Sequence, residues 1–136
     1  MIAVDTNILV RLLTGDDRRQ TASAKALFAS ERIWIAKTVL METAWVLRKA
    51  YGVEDDAIRR ALSQLLGLKQ VSVEDEAVVT VAFQLAGQGL DFADALQLSS
   101  RPPGAHFVTF DRAMVRRAKR AGQSDVKEPP APPPVP

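Results

Sequence analysis

Apolar and polar positions divide the chain into short apolar runs and longer stretches with a helical repeat. Met1 to Val4 reads as a short buried strand, and Ile8, Leu9, Leu12 and Leu13 then recur at helical spacing until Gly15. Asp16 and Asp17 start a second helix through Ala29, with Ala22, Ala26 and Leu27 facing inward, before the run RIWIA gives a second strand. Lys37 to Tyr51 reads as a helix closed by Gly52. Glu54 to Leu66 reads as another, with Ile58, Ala61, Leu62, Leu65 and Leu66 on one face, so these two neighbours form a helical hairpin. Gln70 to Val73 is a third strand, and Val78, Val79, Ala82, Leu85 and Ala86 form a stripe that stops near Gly87 and Gly89. Phe92 to Ser99 is a short helix, Arg101 to Gly104 a turn, His106 to Thr109 a fourth strand, and Asp111 to Ala121 a closing helix. This alternation predicts an α/β fold with a mostly parallel sheet covered on both faces. No internal repeat is visible.

Composition narrows the class. The 136 residues, 47% hydrophobic and 25% charged, suit one globular domain with a sizeable core. The last stretch, PPAPPPVP at 129–136, is too proline-rich for a helix or central strand and reads as a disordered or polyproline-II tail. The absence of cysteine excludes disulfides, thiolate zinc sites and a cysteine nucleophile. No leader-like start and no membrane-length apolar run is present, which places the chain in the cytoplasm, away from membranes. The net charge of +2 is unevenly spread: Arg101, Arg112, Arg116, Arg117, Lys119 and Arg120 cluster late. A basic face and an ordinary solvated helix with cations near its C-terminus both fit that cluster.

The candidate chemistry lies in carboxylates. Ligands of an open parallel sheet collect at the carboxyl ends of its strands, and Asp5 and Asp111 both follow strands there. Aspartate is also a preferred helix N-cap, and capping is the simpler reading for Asp111. For Asp5, Thr6 or Asn7 can take the cap and leave its carboxylate spare. Glu42 has Val39, Trp45 and Val46 as helical neighbours, an apolar stripe in which a carboxylate needs a partner unless it reaches water at the edge. Asp91 and Asp94 are three residues apart at a helix start; if Asp91 caps, Asp94 is free for the same cleft. Close carboxylates repel one another unless a cation binds them, and magnesium or manganese prefers such oxygen ligands. The single histidine, His106, cannot supply a zinc triad and reads as structural or surface.

With these residues in their segments, IAVDTNILV, METAWVL, LDFADAL and FVTFDRAM, the chain resembles the PIN-domain ribonucleases, most closely the VapC toxins of bacterial and archaeal toxin–antitoxin pairs. The likeness covers nearly everything before the tail. It implies a three-layer α/β/α sandwich over residues 1–128, with a mostly parallel central sheet of four or five strands. By position, the acidic, metal-binding and catalytic site falls on Asp5, Glu42, Asp94 and Asp111, with Thr6, Asn7 and Thr109 orienting ligands and water. The implied cofactor is magnesium or manganese. The implied reaction is hydrolysis of RNA phosphodiesters by metal-activated water, leaving 5′-phosphate and 3′-hydroxyl ends. The implied partners are an RNA substrate, a VapB-type antitoxin and a second copy of the chain. Arg112, Arg116 and Arg117 are candidates for flanking phosphates on charge alone. Trp45, Tyr51 and Leu65 are candidates for an apolar dimer or antitoxin face, with Trp45 in the helical core as the alternative.

Rival readings are weaker. A phosphatase using Asp5 as nucleophile wants a second aspartate two residues on, where Asn7 stands; a receiver module wants paired acids there and a lysine after the last strand, where none occurs before Lys119. A PIN fold retained only for binding a partner is compatible with the sequence.

Overall fold

A computed structural model describes residues 1–136. The elements run β1 (Ile2–Ala3), α1 (Thr6–Thr14), α2 (Arg18–Ser30), β2 (Ile33–Ile35), α3 (Lys37–Lys49), α4 (Asp55–Leu66), β3 (Val71–Val73), α5 (Glu76–Gly87), α6 (Phe92–Ser99), β4 (Phe107–Val108), α7 (Arg112–Arg120) and β5 (Val126–Lys127). All strand pairs are parallel, and helices join them in an α/β/α arrangement. Four of the seven helices, α1, α2, α6 and α7, start at a capping aspartate. Gly15, at φ 67°, takes the left-handed conformation that ends α1 and donates its N–H to the Arg11 carbonyl at 3.0 Å.

Hydrogen bonding divides the five strands into a three-stranded sheet, β1-β2-β3, and a two-stranded one, β4-β5. The sequence suggested one central sheet. The strands are only two or three residues long, so few backbone bonds hold each pair. The short strand β5 did not stand out in the sequence, although Val126 is buried. After it, residues 130–136 are exposed and outside any helix or strand.

β2 is the inner strand of the larger sheet, and Ile33 and Ile35 are fully buried there. Leu9 of α1, Leu40 of α3, Leu62 of α4, and Leu96 and Leu98 of α6 meet the same core. α5 packs on α6, where the Phe83 and Phe92 rings lie 4.9 Å apart between centroids. The inward face of α2 differs from expectation: Thr21, Ala24 and Phe28 are buried, whereas Ala22 and Ala26 are exposed. Thr21 can turn inward because its hydroxyl donates to the Arg11 carbonyl at 3.1 Å, and the larger Phe28 sets the phase of the helix.

Truncating Leu96, 1% exposed, to alanine should cost about 2–5 kcal/mol. Trp45→Ala, at a site 59% exposed, should change stability by no more than about 0.5 kcal/mol. Urea unfolding of both variants measures this, and equal losses would contradict the burial pattern.

Candidate active site

The first four N–H groups of a helix have no partner within it, so a strand that runs directly into a helix needs an acceptor at the junction. Asp5 fills that position: its backbone is extended, and its Oδ1 accepts from the Ile8 N–H at 3.3 Å. Asp5 is therefore the cap of α1, not the spare carboxylate expected beside a Thr6 or Asn7 cap. Those two residues lie inside the helix, where the backbone geometry of a cap is lost. Only Oδ1 is engaged by the cap, and the side chain remains exposed.

Thr6 is buried, and its hydroxyl donates a short hydrogen bond to Glu42 Oε1. This bond ties the beginning of α1 to α3. Glu42 itself is exposed, as is Trp45 one turn on, because α3 buries Leu40, Thr43, Ala44 and Leu47 instead. The expected stripe through Val39, Trp45 and Val46 is thus rotated, and Trp45 is not a core residue. Thr43 fits the core because its hydroxyl donates to the Val39 carbonyl at 2.7 Å. Of the proposed apolar interface residues, Trp45 and Tyr51 are exposed and Leu65 is buried.

Further along α3, Arg48 reaches Asp91 at 3.3 Å and Asp55 at 3.7 Å. Asp91 caps α6, its Oδ1 accepting from the Ala93 N–H at 3.3 Å, as the sequence suggested. That leaves Asp94 in the first turn of α6, half-buried and with no capping duty. Asp111 caps α7 by accepting from the Met114 N–H at 3.0 Å, while its own N–H donates to Thr109 Oγ1 at 3.0 Å. Burial, then the negative charges of Asp91 and Asp111, push the Asp94 carboxyl above the ordinary carboxylate range. Arg117 of α7 and Arg48 oppose that rise without cancelling it.

Two groups result, Asp5–Thr6–Glu42 and Asp91–Asp94–Asp111, with α3 touching both through Glu42 and Arg48. Among the acidic and histidine side chains no set of three converges tightly enough to enclose an ion. The donors nonetheless suit a hard cation: all are carboxylate oxygens, and magnesium is commonly held by one or two carboxylates with waters completing its shell. Asp94, half-buried near Asp91 and Asp111, sits where an added positive charge would be favoured. Asn7 is exposed on the first turn of α1, and His106 is exposed at the start of the segment leading into β4. Of the late basic residues, Arg101 pairs with Asp125 at 2.9 Å and Arg112 with Glu128 at 3.0 Å, leaving Arg116 exposed and Arg117 exposed near Asp94. Sequence reasoning passed over Arg48, whose only signal was its place on the same helix as Glu42.

A raised carboxyl in the folded state weakens the native state when ionised, and the penalty disappears as pH falls through the folded pKa and the group takes up a proton. Asp94→Asn should therefore raise the melting temperature of the metal-free protein near neutral pH, with the gain shrinking as acidification carries Asp94 through its raised folded pKa and down to the ordinary carboxylate range. A lowered melting temperature across that range would contradict the repulsion described here.

Neither a curated protein nor a solved structure gives a significant match to the chain. The family model for the PIN domain matches residues 2–120, which contain every carboxylate of both groups. PIN domains are in general nucleases and generally use divalent metals. With that match spanning most of its length, the chain belongs to the PIN-domain family.

Proposed function

We propose that the protein is a magnesium- or manganese-dependent endoribonuclease whose ligands come from Asp5, Glu42, Asp94 and Asp111. The observation that carries this reading is Asp94, half-buried beside two further aspartates and only partly offset by Arg48 and Arg117. Carboxylates held this close to one another are explained if a cation completes the cluster. When bound, the ion supplies a water of lowered pKa and neutralises charge on the phosphoryl oxygens.

The chain's own residues provide geometry. Capping bonds fix Asp5 and Asp111 at helix N-termini, each through Oδ1. Thr6 holds Glu42 through its hydroxyl, and Thr109 fixes the turn before Asp111. Asn7, exposed beside them, is free to orient water or substrate. Arg117 and the unpaired Arg116 offer positive charge to phosphates approaching from α7, whereas Arg112 is engaged by Glu128. The resemblance to VapC toxins supports an RNA target, a VapB-type antitoxin, a homodimer and a cytoplasmic setting. A small gene directly upstream, encoding a DNA-binding protein with a polar C-terminal tail, would mark the toxin role. No helix is long and apolar enough to cross a membrane.

A second reading, a PIN fold kept for binding alone, draws on the lack of three converging carboxylates. Cleavage decides between them. Purified protein should cut RNA only with magnesium or manganese, and Asp5→Asn or Asp94→Asn should abolish cutting while leaving the fold intact. Manganese at about 100 times its Kd should add about 2.7 kcal/mol of stability to the unsubstituted protein and much less to Asp94→Asn. Metal-independent cutting, or a melting temperature indifferent to metal, would overturn the metal-dependent reading.

A further inference from the structure

A groove of about 640 Å³ opens beside Asp5 and runs across α1 and α2. Asp5, Asn7, Arg11, Arg19, Gln20 and Ser23 line it, and Ile8 is its sole apolar residue. Its size falls in the range of roughly 300–1,000 Å³ typical of ligand sites, but its polar walls suit a polar ligand. The groove shares Asp5 and Asn7 with the candidate active site, so whatever occupies it is continuous with a substrate there.

The walls divide into fixed and uncommitted groups. Arg11 is fixed: it donates to Asp16 at 3.0 Å, to the Tyr51 hydroxyl at 3.2 Å and to Gln20 Oε1 at 2.7 Å. Tyr51 in turn donates a short bond to Asp16, completing the clamp. Gln20 therefore has its carbonyl oxygen engaged and its amide N–H groups left for another acceptor. Asp17 is used by the cap of α2, accepting from the Gln20 N–H at 2.9 Å. Arg19 is exposed and joins none of the chain's ion pairs. It stands in the first turn of α2, next to the Asp17 cap, and reaches the groove with its guanidinium uncommitted. Arg18 is likewise exposed and unpaired, but only Arg19 of the two lines the groove, where its charge is available to an anion.

We infer that this groove holds the single-stranded RNA segment flanking the scissile phosphate, with Arg19 on a backbone phosphate and Asn7, Gln20 and Ser23 on sugar hydroxyls and base edges. The inference rests on the ribonuclease reading above. Backbone contacts of this kind set register, and short polar side chains read 2′-hydroxyls and exposed bases. The groove thereby assigns substrate positioning to α1 and α2, in addition to any contribution from the arginines of α7.

The test is binding of a fluorescein-labelled single-stranded RNA to the full chain carrying Asp94→Asn, followed by anisotropy over a range of salt. Arg19→Ala in that background should weaken binding about tenfold, as for one lost charge-assisted contact. It should also make the logarithmic salt dependence shallower by about 0.7, as for one phosphate released from a single strand. Arg19→Lys should restore the salt slope. Arg60→Ala, which removes an exposed charge from α4, should leave both quantities unchanged. Equal binding by the parent and by Arg19→Ala and Arg19→Glu would overturn the inference, as would an equal loss in Arg60→Ala. If the unsubstituted protein cuts RNA and the Arg19 variants bind normally, only the groove assignment falls. If it neither cuts nor binds RNA, the ribonuclease reading falls and the groove assignment with it.

Discussion

The fold depends on satisfying the free N–H groups where strands and turns enter helices. This chain does so repeatedly with aspartate: Asp5, Asp17, Asp91 and Asp111 accept from the first turns of α1, α2, α6 and α7. Each cap contributes about 1 kcal/mol in typical cases. The same requirement brings negative charge to the ends of elements where a parallel α/β fold gathers its ligands. Under the proposed function, a structural need and a chemical one are met by the same side chains. The capping bonds engage Oδ1 of Asp5, Asp91 and Asp111 and orient each carboxylate as a whole.

Asp94 is the exception that gives the site its electrostatic character. It caps nothing, is half-buried, and faces Asp91 and Asp111 with only Arg48 and Arg117 in opposition. Such a placement disfavours the ionised carboxylate, a cost that the proposed cation would relieve. α3 connects this group to the Asp5 end, since Glu42 receives the Thr6 hydroxyl and Arg48 reaches Asp91. Packing elsewhere holds α3 in that position: Leu40, Thr43, Ala44 and Leu47 are buried against the core, which leaves Glu42, Trp45 and Arg48 outward.

Much of the element order was legible because the signals were local. Gly15, Gly52 and Gly67 follow helical stripes, and the short strands are bounded by polar residues or helix starts. The phase of a helix was harder to read. Trp45 drew the apolar stripe of α3 toward itself, but the true inward face includes a threonine whose hydroxyl is satisfied by its own helix. Thr21 misled the reading of α2 for a related reason, its hydroxyl being satisfied by the Arg11 carbonyl of the neighbouring α1. The division of the strands into two sheets depends on tertiary hydrogen bonding that no local pattern encodes. At the site, residue types and their segments were legible, whereas the capping of Asp5, the exposure of Glu42 and the approach of Arg48 to Asp91 required the folded chain.

The proposed function stands on Asp5, Glu42, Asp94 and Asp111 forming one cation site. Paramagnetic broadening of backbone amide signals during titration with substoichiometric manganese tests it most directly. The account predicts that amides around Asp5, Asp94 and Asp111 broaden together at the lowest manganese additions, with Glu42 following the same titration. Broadening that begins instead around exposed carboxylates outside the site, such as Asp56 or Asp75, would contradict it.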